Sequence, residues 1–187
     1  MPPKIKVSKQ DIVKTATELV RQEGEDALNA RSIAKALNCS TQPIFSTFAS
    51  MDDLRTAVLA EAQIAVENYI ARETASGLYP PYKASGMAYI RFAKEEKKLF
   101  KLLYMRTRQE NDYNEDAELF DRMTDLVEES TGIAKENTSL FHLEMWAYVH
   151  GIATMFATGF LNLDWELVSK TITDVSQGLK KQYGIEE

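Results

Sequence analysis

Helical periodicity runs through nearly the whole sequence and constrains its fold more than any other feature. Apolar residues recur at spacings of three and four, as at Leu54, Val58 and Ala62, and no segment alternates in the way of a half-buried strand. Glycines, prolines and polar clusters separate these segments, and Pro80 and Pro81 mark one such break. The pattern therefore predicts an all-α protein of about nine helices.

Capping residues set the expected helix boundaries. Ser8 and Asp11 predict a capping box at the first helix, because each side chain accepts a hydrogen bond from the other residue's backbone N–H. Ser50 and Asp53 repeat this pattern before a long helix that runs to about Gly77. Five further helices are expected at 83–95, 96–106, 114–130, 138–161 and 164–183.

A helix-turn-helix motif is predicted between residues 29 and 48. Asn29 caps a short helix, "NCS" breaks it, and a second short helix follows from Thr41. Asn38 falls where the turn needs a left-handed backbone conformation, which asparagine tolerates. A miniature core with the first helix is expected from Ile33, Ala34, Leu37, Ile44 and Phe48. Polar side chains are then left outside, where they meet base edges and phosphates of DNA: Thr41, Gln42, Ser46 and Thr47.

Charge is unevenly distributed along the chain. Of its 22 basic and 28 acidic residues, seven basic and five acidic ones lie within residues 1–51, so this segment carries +2 and the remainder −8. A mildly basic head on an acidic body suits an anion-binding module joined to a larger body that does not touch the anion.

The single cysteine and the N-terminus exclude further classes. Cys39 alone rules out an internal disulfide and a multi-cysteine zinc site, and we interpret it as a turn-packing thiol. No apolar segment follows the basic N-terminus, so we expect no secretory signal and a cytoplasmic protein. The most apolar run, 146–161, is shorter than a membrane span and predicts a buried helix.

Residues 28–59 read "LNARSIAKALNCSTQPIFSTFASMDDLRTAVL", with a small-residue helix, a turn, an Ile-Phe-x-x-Phe element and an acidic start to the fourth helix. From residue 8 to residue 59 the chain resembles the TetR family of transcriptional repressors. The stretches "YIRFAKEEKKLFKLLY" and "WAYVHGIATMFATG" look like the fifth, sixth and eighth helices of family members with a Trp-x-x-x-His-Gly element. The resemblance implies a homodimer that binds operator DNA and releases it when a small molecule enters the body.

Two positions differ from the family pattern. The family often has tyrosine where Phe45 stands and lysine where Met51 stands, and the resemblance implies backbone contacts to DNA at both. Phe45 has no hydroxyl and Met51 no charge, which shifts the expected phosphate contacts to basic residues elsewhere in the head: Lys4, Lys6, Lys9, Arg31 and Lys35.

We predict two domains, a DNA-binding domain at 1–50 and a ligand-binding and dimerisation domain at 51–187, linked by the helix from Ser50 to about Gly77. Gln42 is the candidate for a direct base contact. The full set of predicted DNA contacts is Lys6, Arg31, Lys35, Ser40, Thr41, Gln42, Pro43, Phe45, Ser46 and Thr47.

An apolar effector pocket is predicted in the helices after Pro81, from a set rich in methionine and aromatic residues. Its members are Tyr82, Met87, Tyr89, Phe92, Tyr104, Phe120, Met123, His142, Met145 and Trp146, and core packing is the alternative for most of them. His142 and His150 lie eight residues apart on one helix and cannot share a metal ion without other ligands. We therefore predict no metal site and no cofactor.

The last two helices carry more apolar and small surface than one monomer needs. They predict a four-helix interface across a two-fold axis, as in symmetric homodimers. The residues expected there are Ala147, Gly151, Ala153, Ala157, Val168, Ile172, Val175 and Leu179.

The sequence is most consistent with a DNA-binding transcriptional regulator. We expect a repressor that binds a pseudo-palindromic operator in double-stranded DNA as a homodimer and responds to a small apolar effector. An enzyme is not favoured, because the sequence has no phosphate-binding glycine-rich loop, no nucleophile elbow and no metal-spaced His/Glu set. The alternative is a helical protein-interaction module, or a regulator controlled by a protein partner instead of a small molecule.

Overall fold

Nine α-helices make up the regular structure of the residues that the computed structural model describes, 7–107 and 112–185, with the backbone alone described at 112–119. A 3-10 turn at Glu25–Ala27 follows the first helix, and no described residue lies in a strand. The all-α prediction is therefore confirmed. The helices are α1 (Lys9–Glu23), α2 (Ala30–Ala36), α3 (Gln42–Thr47), α4 (Met51–Ala75), α5 (Pro81–Glu95), α6 (Lys97–Tyr104), α7 (Asp112–Thr131), α8 (Lys135–Thr158) and α9 (Trp165–Gln182).

Side-chain caps fix where α1, α4 and α9 begin. The hydroxyl of Ser8 accepts the N–H of Asp11 at 3.1 Å, and the Asp11 carboxylate accepts the N–H of Ser8 at 3.0 Å. Ser50 and Asp53 make the same reciprocal pair, at 3.1 Å in each direction. Asp164 accepts the N–H of the second residue of α9 at 2.8 Å. Both predicted capping boxes are confirmed, and each such cap contributes about 1 kcal/mol.

The start of α5 differs from the prediction. This helix begins at Pro81, two residues before the predicted Lys83. A proline is tolerated at the first helical position because the N–H that it lacks has no acceptor within the helix. The N–H of Ala84 donates to the carbonyl of Pro80 at 2.8 Å and closes the first turn. The proline pair therefore starts a helix where the sequence predicted only a break.

The bounds of α8 also differ from the predicted 138–161. Its start follows Ala134, which makes no side-chain cap, so no capping residue marks this boundary. Its end is set by Gly159, which takes the left-handed conformation at a φ of 74°. Phe160 and Leu161 therefore lie beyond the helix, where both are exposed.

The helices form two compact units. We call Met1–Glu67 with Glu96–Arg106 the head unit, and Asn68–Glu95 with Thr107–Glu187 the body unit. The division falls within α4, which contributes residues to both. The domain predicted at 1–50 falls inside the head unit, and its boundary remains a prediction.

In the head unit, α1 packs against α2 and α6. Ile12, Ala16 and Val20 form the apolar face of α1 and are fully buried. The guanidinium of Arg21 donates to the carboxylate of Glu96 at 2.9 Å and ties α1 to the residue before α6. This packing supports the short helices of the predicted DNA-binding motif.

In the body unit, α5 packs against α7, α8 and α9. Met87, Ile90 and Phe92 of α5 are fully buried, as are Phe141 of α8 and Val168 of α9. Within the described ranges, no helix is long and apolar enough to cross a membrane.

Candidate nucleic-acid interface

The turn between α2 and α3 has the geometry that its sequence predicts. Asn38 takes the left-handed conformation, with a φ of 51°. Its N–H donates to the carbonyl of Lys35 at 3.2 Å, and the N–H of Cys39 donates to the carbonyl of Ala34 at 3.0 Å. These two bonds form the Schellman motif that ends many helices. The turn is therefore a defined structure that fixes where α3 starts.

A small core holds the two helices of this motif. The predicted core residues Ile33, Ala34, Ile44 and Phe48 are each at most 5% exposed, while Leu37 is partly buried. Asn29 caps α2 by accepting the N–H of Ser32 at 2.9 Å. Apolar contacts therefore hold the helix-turn-helix together, and its polar side chains lie on the surface.

Most of the residues predicted to contact DNA are exposed. Thr41 and Pro43 are partly buried, and Lys6 lies outside the described residues. Gln42, Phe45 and Ser46 share one side of α3, because residues three and four apart are neighbours on a helix surface. We call these three residues the α3 face. The exposed residues among the predicted contacts are Arg31, Lys35, Ser40, Gln42, Phe45, Ser46 and Thr47.

The α3 face has an unusual chemistry for a DNA-reading surface. No acidic or basic residue occurs in Gln42–Thr47. The hydroxyl of Ser46 donates to the carbonyl of Gln42, and that of Thr47 to the carbonyl of Pro43, both at 2.8 Å. Both hydroxyl hydrogens are thus engaged by the helix itself. The Gln42 amide and the Phe45 ring, which is 56% exposed, are what the face offers a partner.

The basic side chains of the helix-turn-helix region lie on α1 and α2, and none lies on α3. Arg31 and Lys35 are exposed on α2. The ammonium of Lys9, on α1, lies 5.4 Å from the centroid of the Phe48 ring. Met51, the first residue of α4, is partly buried. Arg31 and Lys35 therefore expose positive charge on α2, whereas α3 exposes none.

A tyrosine–histidine pair links α5 and α8 in the body unit. The hydroxyl of Tyr82 lies 2.9 Å from Nδ1 of His142, which is 7% exposed. The ring of Phe120, on α7, meets the imidazole at 5.0 Å between centroids. Burial lowers the pKa of His142 to about 4 and raises the pKa of Tyr82. Both groups are therefore neutral at pH 7, and we call these three residues the Tyr82 cluster.

A second pair of the same type lies further along both helices. The hydroxyl of Tyr89 is 2.8 Å from Nδ1 of His150, and burial lowers the pKa of that histidine. Trp146 stacks on His150 with 5.0 Å between ring centroids. The indole is 44% exposed, so it is not enclosed as a pocket residue would be. Trp146 therefore lies toward the outer side of α8, and its place in a pocket stays a prediction.

The other predicted pocket residues are dispersed. Met87, Phe92 and Met145 are buried in the core of the body unit. Tyr104 belongs to the head unit, where its hydroxyl donates to Gln63 at 3.4 Å, so it lies in a different unit from the other predicted pocket residues, and its role in a pocket stays a prediction. Two open surface grooves contain none of the predicted pocket residues; they are lined by Lys14, Thr15, Glu18, Leu19, Gln22 and Ala36, and by Asp164, Glu166, Leu167 and Lys170.

The two histidines of the body unit were considered as metal ligands in the sequence. Among the described residues, no three His, Cys, Asp or Glu side chains come together in a way that could hold a metal ion. The imidazole nitrogens of His142 and His150 that face α5 each meet a tyrosine hydroxyl. The two histidines therefore have hydrogen-bonding roles inside the body unit.

The predicted dimer residues divide into two groups. Ala153, Ala157, Val168 and Ile172 are at most 2% exposed in the single chain, so they have no surface left for a partner and the prediction is corrected for them. Gly151, Val175 and Leu179 are partly buried, and Ala147 is exposed.

Large exposed apolar side chains lie beside Ala147 on α8. Leu140, Leu143 and Trp146 are 52%, 50% and 44% exposed, and Leu167 at the start of α9 is 45% exposed. Residues 140, 143 and 147 follow the helical spacing of one face. We call Leu140, Leu143, Trp146 and Ala147 the α8 stripe. The spacing of its leucines was a signal in the sequence that the predicted interface did not use.

An ion-pair cluster in the body unit was not predicted. The guanidinium of Arg91 donates to the carboxylate of Glu73 at 3.0 and 3.4 Å. Its central carbon lies 4.3 Å from the ring centroid of Trp165. Glu73 is 7% exposed, so the pair compensates a buried charge. Arg91 thereby joins the end of α4, α5 and the start of α9.

The geometry defines the class of protein: an all-α chain that presents a helix-turn-helix from one unit and has a helical body as the other. A family model described as the tetracyclin repressor-like C-terminal domain matches residues 82–173, about half of the chain. A comparison with curated proteins finds no match to the sequence.

Two solved structures have a similar fold. A TetR-like transcriptional regulator from Rhodococcus sp. RHA1 aligns with a TM-score of 0.68 at 17% identity, over 96% of this chain and 98% of that chain. A member of the TetR family from Streptomyces coelicolor A3 aligns with a TM-score of 0.67 at 19% identity, over 89% and 96%. The resemblance to the TetR family is therefore confirmed, by the family model for the body and by these structures for the fold.

Proposed function

We propose that this protein is a DNA-binding transcriptional regulator that represses its target genes from a pseudo-palindromic operator. The observation that carries the proposal is the helix-turn-helix, whose second helix is exposed along the face of Gln42, Phe45 and Ser46. Exposed Arg31 and Lys35 lie on α2, the first helix of the motif, and supply charge for phosphates. The tetracyclin repressor-like body supports the same assignment. The protein acts in the cytoplasm, on the DNA that carries this operator.

The regulator acts as a homodimer joined through α8 and α9. The α8 stripe supports this, because three large apolar side chains on one helix face favour burial against a second copy. A two-fold dimer presents two copies of α3 to successive major grooves, about 34 Å apart along the duplex. A single copy reaches only one half-site and binds correspondingly more weakly.

A small, largely apolar effector binds the body unit beside the Tyr82 cluster. Phe120 supplies an aromatic wall, while Tyr82 and His142 supply neutral hydrogen-bonding groups that orient a ligand without requiring a charge on it. The effector releases DNA by binding more tightly to a conformation in which α4 holds the two heads off the groove spacing. A differential affinity of about 3 kcal/mol lowers DNA affinity roughly a hundredfold.

The DNA-binding step is tested with duplex DNA from upstream of the protein's own gene. We expect a protected site, low-micromolar or tighter binding to random duplexes at low salt, and affinity that falls steeply as salt rises. Deletion of the gene raises transcription from the protected promoter if the regulator is a repressor. Absence of any duplex binding at low salt contradicts the proposal and favours a helical protein-interaction module.

The effector step is tested by a thermal-shift screen of apolar compounds, followed by operator binding with each hit. We expect hits to stabilise the protein and to weaken DNA binding. Tyr82→Phe removes one hydroxyl from the cluster and weakens the response to ligand. Tyr183→Phe is the matched control, because that hydroxyl donates to Glu144 at 3.0 Å, outside the cluster. Hits that leave DNA affinity unchanged, and that act on Tyr82→Phe as they act on the unmodified protein, contradict this step. They favour control by a protein partner.

A further inference from the structure

The chemistry of α3 restricts which bases it can read. Guanine presents two acceptors, N7 and O6, in the major groove and is read mainly by arginine or lysine. No such residue occurs in Gln42–Thr47, and the nearest basic residues in the exposed motif, Arg31 and Lys35, lie on α2. The read-out by α3 therefore lacks the charged side chains that usually read guanine.

Gln42 carries the hydrogen-bonding capacity of the α3 face. Its side-chain amide combines one acceptor with a donor group, a pattern that matches N6–H and N7 of adenine in a bidentate contact. Ser46, one turn further on the same side, has its hydroxyl hydrogen engaged with the Gln42 carbonyl at 2.8 Å. Its oxygen is left as an acceptor only, which can meet N6–H of adenine or N4–H of cytosine but not O6 of guanine, so the choice of A·T pairs depends on Gln42 and Phe45.

Phe45 carries the apolar capacity of the same face. The ring is 56% exposed and lies three residues from Gln42, so the two side chains are neighbours on α3. An exposed aromatic ring in the major groove finds one apolar group on the base edges, the C5-methyl of thymine. Because the Phe45 ring has no hydroxyl, its contact with that methyl group buries apolar surface and gives up no hydrogen bond to a phosphate.

We propose that α3 selects A·T base pairs, with Gln42 reading adenine and Phe45 packing on the C5-methyl of a thymine in a neighbouring pair. The inference rests on the proposed function, since it specifies the sequence that the regulator recognises. The operator half-site then has A·T pairs at the positions α3 contacts, whatever bases occur elsewhere.

The first test selects duplexes from a randomised pool with the full-length protein at fixed salt. We expect enriched half-sites whose α3 positions, identified as those where Gln42→Ala or Phe45→Ala relaxes selection, are A·T. Enriched half-sites with G·C at those positions overturn this inference and leave the proposed function standing. A pool with no enriched sequence overturns both, because no specific operator then exists.

The second test removes single groups from the selected duplex. Replacing thymine by deoxyuridine deletes only the C5-methyl, and we expect about fourfold weaker binding for each contacted thymine, the value of one buried methyl group. Replacing adenine by 7-deazaadenine removes N7, and we expect roughly tenfold weaker binding. Phe45→Ala abolishes the first effect and Gln42→Ala the second.

The matched control is Lys35→Ala, which we expect to weaken binding to all duplexes alike. The roughly fourfold deoxyuridine effect and the roughly tenfold 7-deazaadenine effect should both remain in this variant. Phe45 and Gln42 are exposed, so their truncation leaves the motif folded, which circular dichroism and the retained non-specific binding verify. A deoxyuridine effect that persists in Phe45→Ala, or a deazaadenine effect that persists in Gln42→Ala, overturns the assignment of these residues.

Discussion

The α3 face and the α8 stripe are both exposed surfaces of helices, yet they differ in size and chemistry. The α3 face is three residues wide and mixes an amide, a hydroxyl and the ring of Phe45. The α8 stripe is formed by Leu140, Leu143, Trp146 and Ala147, and contains no charged or amide group. A polar face with one aromatic ring suits the hydrated major groove, whereas a continuous apolar stripe suits a dry protein surface.

The two units also use charge differently. Arg31 and Lys35 in the head are exposed, and neither forms an ion pair with another described residue. In the proposed function, both side chains are available for phosphates. Arg91 in the body is engaged with Glu73 and Trp165. In the proposed function, the exposed charges of Arg31 and Lys35 serve DNA binding, whereas the charge of Arg91 serves packing within the body unit.

The largest effect is expected from Leu143→Glu, which places a charge in the middle of the α8 stripe. Burying an unpaired carboxylate at an interface of two copies is costly, so we expect dimer dissociation to increase at least roughly a hundredfold. Operator affinity falls with it, because a monomer reaches one half-site. Light scattering and operator titration measure the two effects.

Leu78→Glu is the matched control for that experiment. Leu78 is 73% exposed and lies between α4 and α5, away from the stripe. We expect this variant to dimerise and to bind the operator as the unmodified protein does. A Leu143→Glu protein that stays dimeric would show that the partner contacts another surface.

The second prediction concerns Arg91→Leu, which leaves the buried carboxylate of Glu73 without a partner. We expect a loss of about 2–3 kcal/mol in the free energy of unfolding, less than for a fully buried pair because the guanidinium side chain is 34% exposed. Urea denaturation measures the loss, and Arg91→Leu combined with Glu73→Gln recovers part of it. The salt dependence of DNA binding stays unchanged, since Arg91 is not a DNA contact in the proposed function.

The third prediction concerns His142, the buried histidine of α8 that meets Tyr82 and Phe120. The pKa of His142 is about 4 in the folded protein, against about 6.5 in the unfolded chain. The unfolded state therefore binds the extra proton first, and stability is full above pH 6.5 and decreases as pH falls from 6.5 towards 4. The loss from this group is at most about 3 kcal/mol.

The measurement compares urea denaturation of the unmodified protein and of His142→Gln at several pH values between 7.5 and 4.5. Carboxylates and His150 titrate equally in both proteins, so the difference between them isolates His142. Tyr82→Phe is the control, because it removes the 2.9 Å hydrogen bond and retains the titrating imidazole. A difference between the two proteins that is constant with pH would contradict the prediction.

The sequence-based predictions were correct where a structure depends on residues close together in the sequence. The caps at Ser8 and Ser50 and the turn at Asn38 depend on residues within a few positions, so their geometry was predicted correctly. The core beneath α3 followed from the apolar spacing of Ile44 and Phe48, which leaves only one way to orient such short helices.

The body could not be predicted to the same depth, because α8 is apolar on more than one side. Phe141 and Met145 are buried, whereas Leu143 and Trp146 on the same helix are exposed. A helix that is apolar all round has no hydrophobic face from which orientation can be read. Ala153 was assigned to the partner surface for this reason, although it packs within the chain. Contacts distant in sequence, such as that between Arg91 and Trp165, have no local signal at all.

The smallest effects are expected for single phosphate contacts, where the contrast between units is sharpest. Lys35→Ala lowers the salt dependence of DNA binding by about one unit of slope and leaves the unfolding free energy nearly unchanged. Met51→Lys raises that slope by a similar amount and tightens binding at low salt, because it adds a charge at the first residue of α4, three residues beyond Phe48. Thr74→Lys is the matched control, since it adds the same charge at an exposed position near the end of α4, in the body unit and off the α8 stripe. Tightening by both lysine variants would indicate an effect of net charge, whereas tightening by Met51→Lys alone places the start of α4 against the DNA backbone.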